Sequence, residues 1–154
     1  NLGLKLRHPP AQVKWDPAMD YVWKASQYTL AMQWKDLSSN FPDDVSVHYN
    51  AGLYLLSTHN DIDAFTHFRA ATISQRLPES VRGAAFYNLG LALMNIGYIA
   101  MVEAPLRSAL KQSQPDLRAN CLLSRVYQQS GRFGEAARAE AACAGRAHEE
   151  KAAQ

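Results

Sequence analysis

Apolar residues along this chain recur at intervals of three and four, and no sustained stretch alternates with a period of two. That spacing gathers the apolar positions on one side of an α-helix, so helices are expected throughout. Local signals then divide the chain. Asp16 as N-cap and Pro17 at the first helical position open a helix expected to end near Ser39, before "NFPDD". Asp43 or Asp44 caps "VSVHYNAGLYLLS", "HND" breaks it, and Asn60 caps "DIDAFTHFRAATISQR". After "LPES" comes "VRGAAFYNLGLALMN", stopped near Gly97, and then "YIAMVEAPLRSALKQ". Pro115 stands near the start of "LRANCLLSRVYQQ", which stops at Gly131, and "FGEAARAEAACAGRAHEE" follows. About seven helices result, the last six in pairs.

The pairs repeat. Gly52, Gly90 and Ser124 sit in the middle of the three first helices, at intervals of 38 and 34 residues. Twelve residues after each lie Ala64, Val102 and Ala136 in the second helices; four further on are Phe68, Leu106 and Glu140; three beyond those are Ala71, Ala109 and Cys143. Small residues at such crossings let two backbones approach, and a large residue one turn on fills the groove beside them. One hairpin of this kind cannot bury its apolar face alone and stacks on the next. The segment "YNLGLALMNIGYIAMVEAPLRSAL" is apolar nearly all round because it belongs to the middle pair. Pro105 inside its second helix implies either a start nearer Val102 or a kink.

These residues resemble the tetratricopeptide repeat (TPR) family, whose period is 34 residues. The resemblance rests on Ala51-Gly52, Ala64, Phe68 and Ala71; on Phe86, Leu89-Gly90, Gly97-Tyr98, Leu106, Ala109 and Pro115; and on Leu123, Tyr127, Gly131-Arg132-Phe133, Ala136 and Cys143. Val102 in place of a small residue and Glu140 in place of an aromatic depart from the pattern. The resemblance implies an all-α, right-handed α-solenoid of about three TPR-like helix pairs, at 44–79, 80–114 and 115–148. An extra N-terminal capping helix (16–40), an extended N-terminal arm (1–15) and a C-terminal tail (149–154) complete the expected organisation. Pro9-Pro10 favour an extended arm, which would dock on a partner or in the chain's own groove.

Composition narrows the function. A 154-residue chain with 47% hydrophobic residues is one domain's worth and long enough for a real core. A net charge of +2, without a basic cluster, argues against nucleic acid or an anionic membrane as partner. The apolar stretch from Ala84 to Val102 is interrupted by Asn88, Asn95 and Gly97, which argues against a transmembrane span. Cys121 and Cys143 fit no metal or redox motif and are expected as buried free thiols. Neither metal nor cofactor is expected: His8, His48, His59, His67 and His148 form no HExxH or similar pair, and Asp61 and Asp63 suit the first turn of a helix. No GxSxG, Walker A or GxGxxG is present, and no catalytic constellation emerges.

In TPR proteins the first helix of each pair lines the concave side, where a partner's peptide or helix is commonly held. The resemblance and helical spacing together assign that face to Tyr49, Leu53 and Leu56; to Tyr87, Asn88, Leu91, Met94 and Asn95; and to Arg118, Arg125 and Gln129. Leu53 and Leu91 have an equally good reading as residues covered by the N-terminal segment or a neighbouring helix. One TPR subclass grips chaperone C-terminal carboxylates with lysine, asparagine and arginine. Here Tyr49, Leu53 and Leu122 stand at sites where that clamp needs other residues, while Asn88 and Arg118 match, so a chaperone-tail receptor is disfavoured. The expected function is a non-enzymatic interaction adaptor or scaffold within a larger complex. Alternatives are a helical domain of a longer chain and a homo-oligomerising module. An enzyme using Cys121 or a histidine is a third, disfavoured class. A cytoplasmic compartment is slightly preferred to a periplasmic or envelope-associated one, which would follow if Asn1 is a processed terminus.

Overall fold

The computed structural model describes residues 34 and 36–152, with side chains as far as 145. The arm expected over 1–15 and most of the helix expected over 16–40 lie outside the described residues. Trp34 and residues 36–40 are helical. Six further helices follow: α1 (Val45–Ser57), α2 (Asp61–Ile73), α3 (Glu79–Ile96), α4 (Ile99–Leu110), α5 (Arg118–Gln129) and α6 (Phe133–Ala152). The described residues contain no strand. Helix α6 runs on through the expected start of the tail at 149.

Local chemistry accounts for the boundaries. The Asp44 carboxylate accepts hydrogen bonds from the Ser46 and Val47 amides, satisfying donors that α1 leaves unpaired. Asn60 occupies the cap position of α2 without a side-chain cap bond, its amide donating instead to Thr58 Oγ1. Helix α4 begins at Ile99, so Pro105 lies inside it rather than near its start, leaving one carbonyl without its usual amide partner. The tight turns between paired helices share one feature. His59, Gly97 and Gly131 lie five residues before Ala64, Val102 and Ala136, and all three adopt positive φ, at 60°, 92° and 71°. Glycine adopts that conformation freely, whereas a residue with a Cβ does not.

The chain forms two compact units, one ending at Leu77 and the other beginning at Pro78. In the first, α1 and α2 form a hairpin closed by Phe68, which is fully buried. A Cβ on Gly52 would come within 2.8 Å of the Phe68 ring, so the ring occupies the space a side chain would take. Trp34, Leu37, Val47, Ala51 and Tyr54 form a core cluster, with Phe41, Leu53 and Leu55 packed against it. A histidine pair also joins the two helices. His48 Nε2 lies 2.7 Å from the Pro42 carbonyl oxygen, which only accepts, so Nε2 carries the proton. Nδ1 of a neutral His48 then accepts from His67 Nδ1–H at 2.9 Å. Burial, followed by repulsion from His48, holds His67 below the ordinary histidine pKa, with Asp63 opposing.

In the second unit α3 and α4 repeat the hairpin. Leu106 is fully buried, and a Cβ on Gly90 would approach it to 2.6 Å. Helix α5 packs on α4 and reaches α3, and α6 pairs with α5. The third pair lacks the large residue: Glu140 is exposed, opposite a buried Ser124. Charged groups tie its near end down. Glu103 receives Arg132 through Oε2, Tyr127 Oη–H at 3.1 Å and Arg107 at 2.9 Å. Arg132 also pairs with Glu135 and stacks 4.5 Å from the Tyr127 ring centroid. The hydrogen bond from Arg132 is the main reason Glu103 sits below the usual carboxylate range. At the far end Cys121 and Cys143 form a disulfide. The expectation of two buried free thiols is corrected here. Their Cα atoms are 4.9 Å apart across the α5–α6 hairpin, within disulfide reach, and both residues are half-buried.

Two predictions follow from these local contacts. His59→Gly removes the strained turn residue and is expected to stabilise the protein by about 1 kcal/mol in urea unfolding. Unfolded His67 takes up a proton more readily than folded His67, so stability falls as pH drops through the ordinary histidine value of 6.5. The urea midpoint is expected to decline between neutral and mildly acidic pH. In His67→Asn, which keeps a donor near the Nδ1 position, that decline is expected to be smaller.

Candidate partner-binding face

The first-helix positions separate into residues that build the core and residues left for solvent. In the first unit Tyr49 is only 7% exposed and packs edge-on to Phe68, centroids 6.0 Å apart. Its expected place on an open face is therefore corrected: the large Phe68 ring reaches far enough along α1 to draw Tyr49 into the core. Leu53 is half-buried and packs against the cluster of Trp34, Leu37, Val47, Ala51 and Tyr54. Leu56 is half-buried.

In the second unit Asn88 is buried, so its expected exposure is also corrected. Tyr87, Leu91 and Met94 are half-buried on α3, and Asn95 is exposed. On α5, Arg125 and Gln129 are exposed and Arg118 is half-buried.

Of these residues, Tyr87 and Arg118 meet across two helices. The Arg118 guanidinium carbon lies 4.2 Å from the Tyr87 ring centroid, a cation–π contact. Asp116 fixes it there. Arg118 Nε donates to Asp116 Oδ1 at 2.9 Å and Nη2 to Oδ2, while the Arg118 backbone amide donates to Oδ1 at 3.1 Å. The Asp116 side chain is 10% exposed and that of Arg118 43%, so the acid is the sheltered support and the base faces water. A bidentate pair of this kind holds a long side chain in one geometry. Arg125 lies two turns along α5 from Arg118, on the same face.

Asp116 was not among the residues expected from sequence. The signal was present in "PDLR", where an acid just before a helix start can bond the first free amides. A second feature went unanticipated: Tyr98 and Met101 at the start of α4 and Phe133 at the start of α6 are 58%, 56% and 71% exposed.

The chemistry of the remaining groups is limited. Cys121 carries no thiol in this structure. Both ring nitrogens of His48 are engaged. Among the described residues no group of three or more His, Cys, Asp or Glu is placed to hold a metal ion. No helix among them is long and apolar enough to cross a membrane.

No protein-family model matches the chain, and no curated protein matches it. Solved structures do. The crystal structure of MamA, a TPR-like protein, aligns with a TM-score of 0.71 at 18% identity, covering 85% of this chain and 74% of that one. At that identity the likeness concerns the fold: the described residues form a TPR-like repeat fold built of helices.

Proposed function

We propose that this chain is a non-enzymatic protein-interaction module that holds a peptide or helix of another protein, within a larger assembly, on the first-helix face of its second unit. The Arg118 guanidinium held over Tyr87 by Asp116 is the observation that carries this reading. It is a cationic and aromatic anchor whose geometry is set before any partner arrives, so little side-chain entropy is lost on binding. Arginine and tyrosine contribute disproportionately to interface energy. Leu91 and Met94 supply apolar surface beside the anchor, and Arg125 supplies an exposed positive charge. Such a face suits a segment with an apolar side and an acidic end. The TPR-like fold supports the same reading, because stacked helix pairs expose extended surfaces suited to this use.

Tyr87→Ala/Arg125→Glu is expected to weaken partner binding by about 1–3 kcal/mol while leaving the circular dichroism spectrum unchanged. The measurement is capture from source extract by wild type and variant, followed by titration of the captured protein against both. Equal retention by the two would overturn the proposed face. The exposed Tyr98, Met101 and Phe133 would then be the residues to alter.

A further inference from the structure

We propose that the Cys121–Cys143 bond is a redox-controlled latch: a dithiol reductant opens it and releases α6 beyond Ala139 from α5, and reoxidation closes it. The first observation is where the bond lies. The first two pairs close by large buried residues, Phe68 on Gly52 and Leu106 on Gly90. The third has the exposed Glu140 at that position. Beyond Ala139, residues 140, 141, 142, 144 and 145 are all exposed, and Cys143 alone among 140–145 is withdrawn from solvent. Apolar packing between the two helices therefore ends at Ala139, and the disulfide supplies the attachment that follows. A helix segment without buried apolar contacts opens at low free-energy cost once its covalent tie is cut.

The second observation is the access to each sulfur. Residues 142 and 144 beside Cys143 are exposed, whereas Asn120 and Leu122 beside Cys121 are half-buried and buried. Exchange therefore has a direction, because a thiolate attacks the sulfur it can reach. The reductant's thiolate attacks Cys143 Sγ, forming a mixed disulfide as the bond to Cys121 breaks and Cys121 departs as thiolate. The reductant's second thiol, losing its proton, then displaces Cys143. The reductant leaves as a disulfide, and two electrons have passed to the protein. A disulfide oxidant of the same class reverses the steps. Oxidising surroundings keep the latch closed.

The test is hydrogen exchange on the whole chain, oxidised and reduced with dithiothreitol, with Cys143→Ala as a mimic of the open state. Amides of residues 140–152 are expected to lose protection by roughly tenfold or more on reduction, with those of α3 and α4 unchanged. Cys143→Ala is expected to show the open pattern with or without reductant. Glutathione trapping, read by mass spectrometry, is expected to place the adduct on Cys143. Unchanged protection on reduction, or two free thiols in the protein isolated without reductant under alkylating conditions, overturns the latch. An adduct mainly on Cys121 overturns the direction of opening. None of these readouts depends on the partner-binding face.

Discussion

The fit of one large side chain against one glycine underlies both complete hairpins. Phe68 and Leu106 are each fully buried, and each fills the space where Gly52 or Gly90 lacks a Cβ. Burying such a side chain stabilises by about 1.5–3 kcal/mol, and the missing Cβ lets the two backbones close around it. The small residues nearby follow from the same crossing. Ala64 and Ala71 in α2, and Ala109 in α4, are fully buried. Any larger group there would push the hairpin apart and unseat the ring or isobutyl group it was built around.

That fit also decides which parts of the first helices are left for other contacts. Tyr49, Tyr87 and Cys121 occupy one repeat position, three residues before Gly52, Gly90 and Ser124. Their fates differ with their neighbours. Tyr49 is taken up by the Phe68 ring. Tyr87 receives Arg118 from the following pair. Cys121 is bonded to Cys143. The same position thus serves as core, as a surface anchor and as a covalent tie, according to what the second helix and the next pair present to it.

Periodicity and spacing made the helices, their pairing and the turns at Gly97 and Gly131 legible, because those depend on contacts within about thirty residues. The Gly52–Phe68 and Gly90–Leu106 contacts were legible for the same reason. Side-chain partnerships across helices were harder to read. A period of three and four places Tyr49 on the inner side of α1 but does not say how far the Phe68 ring extends. Two cysteines 22 residues apart flank a helical turn, and spacing alone does not tell whether their Cβ atoms converge. His48 and His67 looked unrelated in sequence because the turn at His59 brings them face to face only once the hairpin has closed. Asp116 was overlooked because its importance lies in holding Arg118, a role visible only when Tyr87 stands opposite.

The third pair shows what replaces the glycine fit when it is missing. Glu140, exposed at the matching position of the third pair, gives up that packing. The attachment comes instead from contacts that tolerate water. Glu103, Arg132 and Glu135 bind the start of α6 to α4, and Arg132 covers the Tyr127 ring. Individually such exposed pairs contribute little, and salt screens them. Here several share Glu103 and Arg132, and hydrogen bonds to the shared charges draw the acids below and Arg132 above their usual ranges. The disulfide holds the other end by a bond indifferent to salt but open to reductants. A pair secured in this way answers to its surroundings where the first two, closed by buried side chains, do not.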